Sequence, residues 1–296
     1  MPTREYLIPL ADGTPIWATA SGTGPPAVCC HGGPGLWDYL GSLAAIIEDV
    51  FTVIRFDQRG CGRSGGADGP FTTAQALEDL DQVRAFFGFP RWTVIGHSWG
   101  AELVLRYTAR FPQRTTGIAY IAGVGAGDGF RDEYIAERTR RLGPDLDRWL
   151  ELRTRTRTDA EDREFSLLQW RCDFTPSADA PEHAAALWAT RPPGAVVNVK
   201  ANEELWADRN KEDLLVSSAG IDQPVTMLFG ADDPRPWSAA TPLVEALPQA
   251  RRFLLEHAGH APWIEQPAAT RRILLQTLGP DTPDRASVDP MGSERP

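Results

Sequence analysis

The residues best equipped for chemistry begin with Ser98, set in Gly96-His97-Ser98-Trp99-Gly100, a G-x-S-x-G pattern. A serine hydroxyl is a weak nucleophile until a base takes its proton. The pattern suits a sharp strand-to-helix turn that lifts the hydroxyl above a sheet edge, with glycines letting neighbouring backbone come close. The N-terminus of the following helix lends partial positive charge to a developing oxyanion. Context supports the reading. An apolar run, Trp92–Ile95, leads directly into Gly96, and good helix formers follow the motif.

A second glycine-rich loop, His31-Gly32-Gly33-Pro34-Gly35, also follows an apolar run. Flexible backbone there can aim an N–H at the oxyanion. Gly33 N–H and Trp99 N–H are the expected donors, with Gly32 the alternative. A plain tight turn is the competing reading.

Attack by serine requires a histidine, and the chain has five. His31 belongs to the loop just described. His97 adjoins the serine, where its side chain is expected to point away from the attacked face. His183 falls in a helical region. His257 and His260 follow the final apolar run, in keeping with the chain order serine, acid, histidine. His260, in the loop Gly259-His260-Ala261-Pro262, is the expected base. His257 stands closer to the strand end and reads as a polar edge residue.

The acid is expected just after the run Pro224–Phe229, within Gly230-Ala231-Asp232-Asp233-Pro234. Asp233 precedes proline, which favours an extended conformation projecting from the strand end. Asp232 could instead close the turn. Asp233 is preferred, with Asp232 and then Asp128 as alternatives.

These loops need a scaffold. Ala27–Cys30, Phe51–Phe56, Trp92–Ile95 and Gly117–Ala122 read as buried strands, separated by helical stretches near 39–47, 73–87 and 101–111. Such alternation predicts an α/β fold: a mostly parallel central sheet flanked by helices. After Gly123 the pattern changes to helices rich in Arg, Glu and Trp, and strand character returns at Pro224–Phe229 and Arg252–Leu255 before a helix over 270–278. The expected organisation is a core over 1–123, a helical cap insertion over 124–223, the rest of the core over 224–278, and a polar, Pro-rich, disordered tail over 279–296.

Composition narrows the function further. The net charge of −10 disfavours nucleic acid or an anionic membrane as the main partner. No apolar run reaches the roughly 18 residues that span a bilayer, and the first residues show no secretory pattern, so a cytoplasmic protein is expected. The four cysteines, Cys29, Cys30, Cys61 and Cys172, form no metal-type spacing. Neither cofactor, metal nor disulfide is expected, and the partner is a small molecule or short peptide.

The remaining motif, Asp57-Gln58-Arg59-Gly60-Cys61-Gly62-Arg63-Ser64, reads as a turn pinned by an Asp–Arg ion pair. Together, HGGPG, DQRGCGRS and GHSWG in this order resemble the proline iminopeptidase family of α/β-hydrolases. The likeness is strong over about 25–125 and good over 224–267, where GADDP and AGHAPWIEQP are similar to the acid and histidine segments of the wider superfamily. It implies removal of an N-terminal residue, typically proline, from short peptides, with cap glutamates holding the free amine. Ala201 stands where such a glutamate is expected, so Glu204 or its neighbour Glu203 is the substitute. The elbow departs as well, because the family commonly has Gly where His97 stands.

Two other functions fit the same residues. One is an ester, lactone or thioester hydrolase, or an acyl-transferring or cyclising enzyme, working on a secondary metabolite under a cap lined by Trp149, Trp170, Trp188 and Trp206. The other is a non-catalytic binding protein that retains the fold.

Overall fold

The computed structural model describes residues 2–127 and 130–279. Asp128 and the expected tail beyond Gly279 lie outside the described residues. A hairpin absent from the sequence-based expectations, β1 (Arg4–Pro9) and β2 (Pro15–Gly22), forms one edge of an eight-stranded sheet. The six apolar runs supply β3 (Pro26–Cys30), β4 (Thr52–Phe56), β5 (Trp92–His97), β6 (Thr115–Ile121), β7 (Val225–Gly230) and β8 (Arg251–Leu255). The sheet order is β1-β2-β4-β3-β5-β6-β7-β8, antiparallel at β1–β2 and β2–β4 and parallel elsewhere.

Alternation along the central strands explains why they read as continuous apolar runs. In β3, Cys29 faces one core layer and Cys30 the other. One layer packs Val28, Ile54, Val94, Tyr120 and Met227 against α2 (Thr73–Phe86) and α3 (Trp99–Arg110). The opposite layer packs Ala27, Val53, Ile95, Ile121 and Leu228 against α1 (Gly41–Ala45), α11 (Pro262–Glu265) and α12 (Pro267–Leu278). Each fully buried aliphatic side chain contributes about 1.5–3 kcal/mol. Helix α3 is buried from Trp99 to Thr108, so it leaves the motif through the core rather than over the surface.

Between β6 and β7 lie α4 (Phe130–Leu142), α5 (Leu146–Arg153), α6 (Asp159–Trp170), α7 (Ala180–Trp188), α8 (Val199–Asp208) and α9 (Lys211–Ser218). Local chemistry sets their starts. Thr158 and Glu161 form a reciprocal capping box before α6, and the Asn198 side chain accepts the Ala201 N–H to start α8. The short helix α10 (Thr241–Ala246) follows β7. No helix among the described residues is long and apolar enough to cross a membrane.

Candidate active site

Ser98 occupies the single residue between β5 and α3, with φ 57° and ψ −118°. A non-glycine residue in this half of φ costs about 1–3 kcal/mol, which the surroundings must impose. Here the Ser98 N–H is held by the Ile121 carbonyl at 2.9 Å, and the Ser98 carbonyl accepts from Ala101 N–H at 3.0 Å. A Cβ at Gly96 would collide with the Gly100 carbonyl, and one at Gly100 with the Cys30 carbonyl. Both motif glycines are therefore demanded by backbone crossings.

The loop after β3 reaches the same point. A Cβ on Gly32 would lie 2.8 Å from Ser98 Cβ, so this backbone runs directly past the serine. The Gly32 N–H is already given to the Tyr39 hydroxyl at 2.9 Å. Gly33, with φ 126°, lines the cavity that contains Ser98. Trp99 is the first residue of α3, so its N–H has no acceptor within the helix.

His260 and Ser98 line one cavity of about 140 Å³. Nδ1 of His260 lies 2.6 Å from Asp233 Oδ2. A carboxylate only accepts, so Nδ1 carries the proton and Nε2 keeps its lone pair. The other Asp233 oxygen accepts the Arg235 backbone N–H at 2.9 Å and faces its guanidinium at 3.4 Å. Burial raises the Asp233 carboxyl, which the Arg235 charge opposes. Burial also lowers His260, and there Arg235 acts in the same direction. Asp232 turns elsewhere, its Oδ2 accepting from Thr175 Oγ1 at 3.0 Å.

The cavity walls are mainly apolar, formed by Leu36, Trp170, Phe174 and Leu187, but they include Gln169, Asp173 and Arg235. Asp173 holds Arg235 through contacts of 2.9 and 3.5 Å, and its carbonyl accepts the His260 N–H at 2.7 Å. The Tyr134 ring stacks under the guanidinium at 4.2 Å. Arg235 thus faces two carboxylates, Asp173 and Asp233, leaving one negative charge in excess among the three. Among the described residues, no three His, Cys, Asp or Glu side chains gather as a metal site.

Residues 25–267 match the sequence profile of the alpha/beta hydrolase fold. The chain belongs to that family. Within it, this α/β-hydrolase is similar to a protein named "probable proline iminopeptidase" from Streptomyces coelicolor, at 28% identity over 88% of this chain and 90% of the relative. A shorter stretch of 101 residues is 37% identical to the proline iminopeptidase of Neisseria gonorrhoeae, covering 32% of this chain and 31% of that one. The crystal structure of proline iminopeptidase from Mycobacterium smegmatis has the same fold, with a TM-score of 0.66 at 20% identity, over 92% of this chain and 97% of that one.

Of the other residues singled out by the sequence of this hydrolase, His97 and Trp170 line the cavity and most of the rest do not. Glu204, the expected amine holder, is half-exposed on α8 and faces Lys200 one turn away at 3.9 Å. The structure does not bring it to Ser98, because the buried face of α8 belongs to Ala201 and Leu205, packed on Phe71 and Trp99. Ala201 is a packing residue here. Of the four cap tryptophans, Trp170 lines the cavity. Trp188 packs with Trp170 and Trp37, Trp149 stacks on Phe165, and Trp206 lies 6.2 Å from Trp99. His257 is exposed, and the His183 ring packs on Phe174. His31 is a structural link: Nδ1 donates to the Gly32 carbonyl, and Nε2 accepts the Gln58 N–H. The turn after β4 is pinned by Asp57 and Arg63 at 2.6 Å, with Arg63 over the Trp17 ring.

The polar cavity residues outside every motif are Tyr39, Gln169, Asp173 and Arg235. Arg235 had an available clue, standing two residues after Asp233 in the same strand-end loop.

Proposed function

We propose that this α/β-hydrolase works through Ser98, His260 and Asp233 and releases a small N-terminal residue from a short peptide or related amide. The observation that carries the reading is the 2.6 Å bond from His260 Nδ1 to Asp233, beside a serine in a strained elbow on the same cavity. His260 Nε2 takes the Ser98 proton as Oγ attacks the carbonyl carbon. The oxyanion is received by Gly33 N–H and Trp99 N–H. Collapse expels the amine, which leaves with the proton from His260, and an acyl ester remains on Ser98. Water activated by His260 then frees the acid and restores the serine.

Asp173 is the carboxylate suited to a free substrate amine, since it borders the cavity and Arg235 is shared with Asp233. A charge-assisted contact of this kind contributes about 1.5–3 kcal/mol, a factor of ten or more in selectivity. That Glu204 is not among the cavity-lining residues favours the second reading, a hydrolase of neutral esters or lactones.

Both levels are testable on purified protein. A fluorophosphonate probe is expected to label the wild type and not Ser98→Ala; labelling at another serine overturns the nucleophile assignment. Proline and alanine anilides with free amines are expected to react, and N-acetylated ones to fail. Asp173→Asn is expected to lower the free-amine to neutral-ester selectivity about tenfold, with Glu204→Gln neutral. Turnover of neutral esters with no free-amine cleavage overturns the peptidase reading.

A further inference from the structure

The loops around Ser98 come from separate strand ends, β3, β5 and β8, and sheet pairing alone does not fix one loop against another. Two side chains span them. Tyr39 Oη lies 2.9 Å from Gly32 N and 2.7 Å from His97 Nδ1, and His97 Nε2 lies 2.8 Å from the His260 carbonyl. The polarity of this chain is determined. The His260 carbonyl can only accept, so His97 Nε2 donates. Nδ1 of the neutral ring then accepts, so the tyrosine O–H donates to it while its oxygen accepts from Gly32 N–H. Burial holds His97 below and Tyr39 above their ordinary values, which keeps both in these forms.

We propose that Tyr39 and His97 act as a strut that sets the distance between the oxyanion loop and the loop carrying His260, and so position the reaction through their hydrogen bonds to both loops. The proposal rests on Ser98 and His260 serving as nucleophile and base, and not on the amine specificity. The strut borders the cavity and is crowded by close neighbours. A Cβ on Gly32 would come within 2.6 Å of the Tyr39 oxygen, and the Trp263 ring meets His97 edge-on at 4.7 Å while its Nε1 donates to Ser42 Oγ. Glycine at position 97 would leave the His260 carbonyl and Tyr39 without this link.

The test uses p-nitrophenyl acetate turnover, phenylboronic acid inhibition and thermal melting for wild type, Tyr39→Phe, His97→Ala, His97→Gln and the Tyr39→Phe/His97→Ala double variant. Displacing a catalytic loop by a fraction of an ångström to 1 Å costs about ten- to a hundredfold. Each single variant is expected to lower kcat by that amount, with KM within about threefold and the boronate Ki rising in parallel. The double variant is expected to be no worse than the poorer single, as for residues acting as a unit. His97→Gln is expected to regain part of the loss, since its amide can still donate to the His260 carbonyl. Singles within twofold of wild type, multiplicative losses in the double, or an unmoved boronate Ki overturn the strut. Tyr39→Phe, which removes one oxygen, carries the test if His97→Ala fails to fold; a loss that follows its unfolded fraction instead of Ki also overturns the strut. Wild-type turnover by Ser98→Ala would refute the nucleophile instead, whereas a silent Ser98→Ala beside a wild-type-like Tyr39→Phe refutes the strut alone.

Discussion

Arg235 is the perturbation that reports most directly on the electrostatics of the site. Its guanidinium is 3.4 Å from Asp233 Oδ1, and the imidazole is 2.6 Å from Asp233 Oδ2, on the other side of the same carboxylate. The positive charge therefore stands roughly 6–8 Å from the imidazole, worth about 2 kcal/mol against its protonation at an effective dielectric of about 20. At 1.36 kcal/mol per pH unit, that is about one to two units. The sign is definite. Burial lowers His260 most and the Arg235 cation lowers it further, so the value rises when that charge is removed. Loss of Arg235 also leaves the Asp173 carboxylate without its partner, and its field pushes His260 upward too. The base works only when neutral, so kcat/KM falls as pH drops through this value. In a kcat/KM profile on p-nitrophenyl acetate, the wild-type acid limb is expected below 6.5. Arg235→Gln is expected to move it up by about one to two pH units, whereas Arg235→Lys keeps the charge and moves it much less. The His97 ring, 4.6 Å from the imidazole, is the same in all three proteins. An acid limb that stays fixed or moves down in Arg235→Gln refutes the reasoning.

Two further outcomes follow from the same geometry. Asp233→Asn is expected to lower kcat by several orders of magnitude, by favouring the wrong imidazole tautomer, while Asp232→Asn costs less than about tenfold; steady-state kinetics with the reverse ranking would refute the assignment. Gly32→Ala places a methyl 2.6 Å from Tyr39 Oη and 2.8 Å from Ser98 Cβ, so ester turnover is expected to fall at least about a hundredfold, and near-normal turnover would contradict the close passage described.

How much of this was legible in the sequence depends on range. The central strands could be read because burial on both faces leaves an unbroken apolar run, as in Pro26–Cys30 and Val225–Gly230, whereas the edge strand β8 showed only through its short run Phe253-Leu254-Leu255. The β1–β2 hairpin could not. β1 is an edge strand with four of its six residues exposed, and Arg4-Glu5-Tyr6-Leu7-Ile8-Pro9 offers no such run. Ser98 and His260 stand out as candidates through motif and chain order, as does the loop holding Asp232 and Asp233, and the structure places Ser98 and His260 on one cavity. The choice between those two carboxylates turns on which one faces His260, a matter of side-chain direction that sequence reaches only through the following proline. Glu204 lies outside the cavity lining for a related reason: the rotation of α8 decides which of its residues face inward, and Ala201 and Leu205 take that face. Asp173 lies 62 residues from Arg235 and 87 from His260, in a stretch with no motif, so only the folded chain makes them neighbours.

The double use of Asp173 ties the helices between β6 and β7 to the loop that carries His260. Its carbonyl grips the backbone of the base, and its carboxylate grips the guanidinium that leans on the orienting acid. Any displacement of the segment carrying Asp173 would therefore be felt twice, at the His260 backbone and at the Arg235–Asp233 pair.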